Sequence, residues 1–266
     1  ERIPELLSRY NPPETSIRFS VVESHDGKSV RGSLDLLTEK ERADLADIVT
    51  ANGGKIKYRK GAGGLEPYEL CISTRNALTV LDDPVLEADW FLAVYTLAFA
   101  LMGRHVKSIY FNDLIGLPND IARMNQTGEF RDIKRTRSDN AALSALLEDR
   151  DAVCHRIGGG IARLIAVVDA DPTLSHRGDE AVILKTDNSA VAVVANRCKS
   201  GRTWVLVNLT ARPQPLSVLL IPSETNPPEA IFEQITGKNI KLLQGNYIGE
   251  LNAFERLWLK PSFSPL

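Results

Sequence analysis

His25 and Asp26 stand together in "VVESHDGKSVRG" (Val21–Gly32), after a short apolar run and before a glycine. An imidazole and a carboxylate delivered to the carboxyl end of a strand can grip a polar ligand and stabilise a developing cation. The same dipeptide also ends strands for backbone reasons, because Asp and Gly favour turns. A second set is "GEFRDIKRTRSD" (Gly128–Asp139), with Arg131, Lys134, Arg135 and Arg137. A guanidinium offers a planar fork of donors to a phosphate or a sugar hydroxyl, although composition favours a solvated basic loop. A third is "LEPYELCIST" (Leu65–Thr74), with Glu66, Tyr68 and Glu69 at a loop-to-strand edge. An aromatic ring flanked by carboxylates suits a sugar, and equally an ordinary edge strand.

Other polar groups carry less. Asn112, Asp113, Asn119 and Asp120 are explained by loop polarity. His105, His155 and His176 lack metal-like spacing, as do Cys71, Cys154 and Cys198, so no metal and no cofactor are expected. The three cysteines read as reduced, mostly buried thiols. "IGGGIAR" lacks the Lys-Ser/Thr of a phosphate loop and falls inside a helical pattern, so it is set aside.

These groups need elements to hold them. Ile17–Glu23 reads as a strand centred on Val21 and Val22. Thr38 with Glu41 forms a capping box, and Asn52-Gly53-Gly54 stops the helix it starts. Residues 55–74 read as a hairpin around a glycine-rich loop. Asp82–Met102 is a helix, "SIYF" a short buried strand, and Ser138–Asp149 and Ala152–Pro172 two further helices, the last weakened by three glycines. Beyond Pro172, short β-branched runs alternate with turns, the pattern of an antiparallel β module. Helix–strand–loop order before it predicts parallel βα units.

The totals narrow the function classes. A chain of 266 residues with 43% hydrophobic content can bury a large core. A net charge of −2 recommends neither nucleic acid nor an acidic membrane surface. No stretch reads as a bilayer span, and "WFLAVYTLAFALM" has the length of a buried helix. The expected setting is cytoplasmic. The missing Met at Glu1 suggests that residues precede it.

In their order, "SHDGKSVRG", "LADIVTANGGKIKYRKG", "PYELCIST", "DDPVLEADWFLAVYTLAFALMG", "SIYFNDLIGLPND", "RDIKRTRSD" and "DADPTLS" resemble the sucrose phosphorylase-like branch of the α-amylase superfamily over about residues 17–176. This branch includes sucrose and glucosylglycerate phosphorylases. The resemblance implies an α/β fold: residues 1–176 as the last units of a (β/α)8 barrel, residues 177–266 as a small antiparallel β-sandwich domain. By position it implies Asp26 as the carboxylate that stabilises the transition state and His25 as a sugar contact. Arg135, with Arg131, would line the sugar and phosphate region, and Glu66, Tyr68 and Glu69 a mobile loop beside the acceptor. The partners implied are an α-glucoside and inorganic phosphate, and a partial barrel would self-associate or join an upstream segment. The family's nucleophile and general acid lie upstream of the His-Asp pair, and no carboxylate before Asp26 sits in such a motif. The family pattern also breaks at Lys28-Ser29 (for Ile-Gly), at Gly32 (for Pro), at Cys71 (for Asn) and at "GRHVKS" (for Gly-x-Pro). That drift favours the alternative, a non-catalytic barrel remnant that binds sugars or partners.

Overall fold

The computed structural model describes residues 16–61, 64–78, 82–175, 178–179, 181–221 and 227–261. His176 and the carboxylates Glu1, Glu5 and Glu14 lie outside them. In chain order the elements are β1 (Phe19–Val21), β2 (Lys28–Ser29), α1 (Glu39–Ala51), β3 (Lys55–Gly61), β4 (Gly64–Cys71), α2 (Thr74–Leu78), α3 (Pro84–Met102), β5 (Val106–Ser108), α4 (Phe111–Leu114), α5 (Ile121–Thr127), α6 (Asn140–Glu148) and α7 (Val153–Ala170). They continue as β6 (Val182–Ile183), β7 (Val191–Cys198), β8 (Gly201–Asn208), β9 (Gln214–Leu219), β10 (Ala230–Glu233), β11 (Asn239–Lys241), β12 (Asn246–Leu251) and β13 (Arg256–Pro261). Contacts divide the chain into two units. Among the described residues, one lies within 21–91 and 108–159, the other within 16–20, 92–107 and 160–261.

The first unit is built around a three-stranded antiparallel sheet, β2-β4-β3. The hairpin expected at 55–74 is β3 and β4, in register from Lys55 opposite Cys71, with a bulge after Lys57. Helix α1 starts where the capping box predicts: Thr38 Oγ1 accepts from Glu41 N, and Glu41 returns a bond to Thr38 N. Its stop uses Gly53 in the left-handed region, φ +77°. Gly54 must be glycine, since a Cβ there would stand 2.6 Å from Val49 Cγ1. Ala46 and Val49 of α1 bury against Val30, Ile56, Leu70 and Ile72. Beyond the sheet, α4, α5 and a 3₁₀ turn at Phe130–Lys134 lay down the basic segment.

The second unit holds the antiparallel β module. Six strands run β11-β10-β13-β8-β7-β6, and β9 pairs with β12. Val193, Leu206, Ile231 and Leu259 from the larger sheet share one core with Leu216, Val218, Tyr247 and Leu251 from the smaller. Two layers with a common apolar interior are the sandwich that the alternating pattern predicts. Helix α7 tolerates its glycines for a packing reason: a Cβ on Gly160 would overlap Leu92 Cδ1 at 2.3 Å.

Several expectations need correction. "SIYF" is not a buried strand; β5 lies earlier, at 106–108, and Phe111 opens a short helix, exposed. Val21 is likewise exposed rather than central in a buried strand. The physical reason is shared, because β1 and β5 form a two-stranded sheet that covers little of its own apolar surface. Helix α3 is, by length and composition, apolar enough to cross a membrane, which the shorter quoted run was not. Its Phe91, Leu92, Tyr95 and Phe99 are nevertheless buried within protein.

Candidate functional site

After β1 the chain turns through residues 22–27, and alternate side chains go opposite ways: Glu23 is buried, His25 is exposed and Asp26 is half-exposed. Asp26 Oδ1 accepts from Arg131 Nη1 at 2.9 Å and from Arg135 Nη2 at 3.4 Å. His25 Nε2 lies 3.7 Å from the same oxygen. Arg135 Nε also donates to the His25 carbonyl at 2.9 Å. Asp26 Oδ2 accepts nothing from the described residues, and the side chain is 46% exposed.

Arg131 is held from the other side by Glu69 of β4. Its Nε and Nη2 reach the two carboxylate oxygens at 2.6 and 2.8 Å, a two-pronged pair that fixes the plane of the guanidinium. The Gly27 amide donates to Glu69 Oε1 at 3.0 Å. The Arg131 hydrogen bond, against the cost of burial, holds the Glu69 carboxyl below its usual range. The same bond raises Arg131 further, so its charge is permanent. Glycine at 27 is a steric requirement: a Cβ would fall 2.3–2.7 Å from the Glu69 side chain. Arg135 is steadied by Asp132 at 3.2 Å. The 3₁₀ turn that presents both arginines is tied down by Asn112 Nδ2, which donates to the Lys134 and Thr136 carbonyls at 3.0 and 3.3 Å.

Five of the seven residues named from the sequence therefore lie near one another: His25, Asp26, Glu69, Arg131 and Arg135. Tyr68 lies partly buried on β4. Glu66 pairs with Arg59 across the hairpin, Nε to Oε1 at 2.8 Å, and touches none of the others. All three β4 residues sit on a strand rather than on a loop, and Glu69, at 2% exposed, is spent on Arg131 and Gly27.

Beneath the turn lies a buried charge network that composition concealed. The Glu23 carboxylate accepts the Lys134 ammonium on Oε1 and the Lys28 ammonium on Oε2. Thr74 Oγ1 stands 2.7 Å from Glu23 Oε2 and 2.8 Å from Asp113 Oδ2. Lys134 also donates to the Asp26 carbonyl at 2.6 Å. Burial, reinforced by Arg135, pushes Lys134 down to about 7. Burial, opposed chiefly by Asp113, pushes Lys28 down to about 8. So Lys134 is not part of a solvated basic loop, and Asp113 and Asn112 are buried partners rather than loop polarity. One signal was available: Glu23 is a lone charge within "FSVVES", and a charge inside an apolar run needs a counter-ion.

The accessible surface of this cluster is one carboxylate oxygen, an imidazole and two guanidinium edges. It can accept from a hydroxyl, donate to an anion and stabilise adjacent positive charge. Among the described residues no group of three or more His, Cys, Asp or Glu could hold a metal ion.

No family model matches the chain. Glucosylglycerate phosphorylase of Allomeiothermus silvanus is 25% identical over 209 residues, which are 77% of this chain and 37% of that protein. Sucrose 6(F)-phosphate phosphorylase of Thermoanaerobacterium thermosaccharolyticum is 26% identical over 138 residues, 49% of this chain and 26% of that protein. Among solved structures, sucrose 6F-phosphate phosphorylase from Thermoanaerobacter thermosaccharolyticum superposes with TM-score 0.63 at 17% identity, over 92% of this chain and 44% of that one. AmyP in complex with maltose superposes with TM-score 0.57 at 17% identity, over 98% of this chain and 44% of that one. The chain spans less than half the length of the curated relatives it matches. In sequence the chain is thus similar to glucosylglycerate and sucrose phosphorylases, and in fold to a sucrose 6F-phosphate phosphorylase and to AmyP.

Proposed function

We propose that the chain is the C-terminal portion of a retaining α-glucosyl-transferring enzyme that phosphorolyses sucrose or a related α-glucoside. In this reading residues 1–176 are the closing units of a (β/α)8 barrel and 177–266 its C-terminal β domain, in a cytoplasmic protein. The substrates are an α-glucoside and inorganic phosphate. The observation that carries it is the Asp26 carboxylate, oriented by Arg131 and Arg135 and with Oδ2 open to a ligand. Asp26 would stabilise the oxocarbenium-like transition state, His25 would contact the sugar, and Arg135 with Arg131 would draw in the phosphate. Glu66 and Tyr68 would lie beside the acceptor, and Glu69 would act there through Arg131.

Retaining chemistry needs two more carboxyl groups, about 5–5.5 Å apart, as nucleophile and as acid–base. The carboxylates next to Asp26 are not available for this. Glu69 is bound by Arg131 and Glu23 by two lysines. In this reading the pair comes from upstream of the His-Asp motif, as the resemblance implies, and this chain would supply one part of a composite site.

The alternative is a non-catalytic sugar- or partner-binding module. It is favoured by Asp26 Oδ1, already neutralised by two guanidiniums. Two measurements separate the readings. Phosphate-dependent release of glucose 1-phosphate from sucrose and glucosylglycerate is expected to be absent with the chain alone. Release by the chain alone would overturn the composite site. The upstream coding sequence is the second, and an Asp nucleophile and a Glu acid in family motifs there are expected. A start codon directly before Glu1 would favour the module.

A further inference from the structure

We propose that Lys134 is a positioning residue, holding the His25–Gly27 turn from beneath through the Asp26 carbonyl, and that it does so only while its ammonium is paired with Glu23. The proposal rests on Asp26 being a site group. Its test reads the turn itself and not turnover, so the two can fail separately.

The geometry singles out this lysine. Its side chain is 1% exposed, as is that of Glu23, so neither finds water as a partner. It joins two segments 108 residues apart in sequence, donating at 2.6 Å to the carbonyl of the residue whose carboxylate faces outward. Asp26 is thus held twice. The carboxylate is oriented by Arg131 and Arg135 above, and the backbone by Lys134 below. A charged donor makes a hydrogen bond roughly twice as strong as a neutral one. Loss of the Lys134 proton would weaken the backbone tether and leave Glu23 with Lys28 as its remaining cation.

The surroundings make that proton labile. Among the described residues, Glu23 pairs with the charged form, Arg135 drives the proton off, and Lys28 competes for the same carboxylate. Asp113 sits one hydroxyl further away. Thr74 has one proton to give and two carboxylates within hydrogen-bond distance. It can donate to only one, and the second contact becomes a hydrogen bond only when that carboxyl is protonated and itself donates to Thr74 Oγ1. Proton uptake by either carboxyl would let Thr74 bond both at once. Burial, with Arg135, places the release from Lys134 near neutrality.

The test is a pH titration of the whole chain by NMR. The Gly27 amide nitrogen belongs to the same peptide group as the Asp26 carbonyl and so reports that bond, while labelled lysine Cε resonances report Lys134 and Lys28 separately. All variants carry His25→Gln, because an imidazole titrates in the same range. Between pH 6 and 9 the Gly27 shift should move in step with Lys134. With Lys134→Gln the step should vanish. With Glu23→Gln it should move to lower pH by a unit or more, a tenfold loss of proton affinity. If Lys134→Gln does not fold, Glu23→Gln carries the test alone. A Gly27 shift that is flat over this range, that follows Lys28 instead, or that keeps its midpoint in Glu23→Gln overturns the proposal.

Discussion

Two carboxylates in this chain are set in opposite ways. Asp171, just after α7, is 4% exposed and accepts five hydrogen bonds. Thr173 gives its amide and hydroxyl to Oδ1; Thr203, Gln234 and the Trp258 indole converge on Oδ2. None of these donors is a cation. Asp26 is half-exposed, takes two guanidiniums on one oxygen and leaves the other open. Asp171 spends its lone pairs on fixed neutral donors, whereas Asp26, proposed for chemistry, is held by charge at one oxygen and accepts nothing from the described residues at the other. Asp171 lies in "VVDADP", read from the sequence as the end of a helix and as part of the family-like "DADPTLS"; nothing in that string tells that side chains from β8, from just after β10 and from β13 will meet there.

The comparison breaks most visibly at Asp171. Asp171→Ala should cost roughly 3–5 kcal/mol, because truncation strands several buried donors at once. Urea unfolding followed by Trp fluorescence measures it, since Trp258 is one of the stranded donors. A loss below about 1 kcal/mol would mean that the donors find other partners and that Asp171 is no hub.

Next is the pair that aims Asp26. Arg131→Met leaves Glu69 buried without its cation, a loss of about 2 kcal/mol at neutral pH after allowance for a partly exposed guanidinium. Its pH dependence has a definite sign. The folded Glu69 carboxyl lies below the ordinary 4.5, so its contribution is present above that value and lost as pH falls through the folded one. The stability gap between wild type and Arg131→Met should be constant from pH 7 to 5 and close at lower pH. Denaturation midpoints across that range decide it, and a gap that widens on acidification would contradict the ion pair.

Smaller again is the contrast between two glycines of one segment. Gly27→Ala drives a methyl into the Glu69 side chain, which Arg131 and the Gly27 amide prevent from moving aside, and should cost about 1–2 kcal/mol. Gly32→Ala meets nothing within 4 Å and should be within about 0.5 kcal/mol of wild type. Thermal melts of the two variants compare them directly, and equal effects would show that Gly27 is not sterically required.

What the sequence disclosed follows from how local each signal is. The α1 capping box, its glycine stop and the β3–β4 hairpin are encoded within a few residues, and all were legible. So was the antiparallel module, whose turns recur at short spacing. The meeting of Asp26 with Arg131 and Arg135 was legible only through the family order of motifs, since 105 and 109 residues separate the partners. The Glu23–Lys134 pair was not legible by either route. Composition reads lysines as surface residues, and burial of a charge is decided by a counter-ion 111 residues away. The short β1 and β5 misled in the other direction, because apolar residues there promised burial that a two-stranded sheet does not provide.

A small stability effect should also come from the residue proposed to lie nearest the chemistry. Asp26→Asn removes a charge from a half-exposed group whose ion pairs, one at 2.9 Å and one at 3.4 Å, are partly open to solvent. Exposed pairs of this kind contribute about 0–1 kcal/mol, so the variant should unfold within about 1 kcal/mol of wild type. Its binding should suffer far more than its stability, since the open Oδ2 becomes, in one of two amide orientations, a donor. Chemical-shift titration with glucose 1-phosphate should show at least tenfold weaker binding, with the His25 and Gly27 amides no longer responding. Should Asp26→Asn instead destabilise the chain as much as Asp171→Ala and leave glucoside binding unchanged, Asp26 would be a second structural carboxylate and the contrast between the two would collapse.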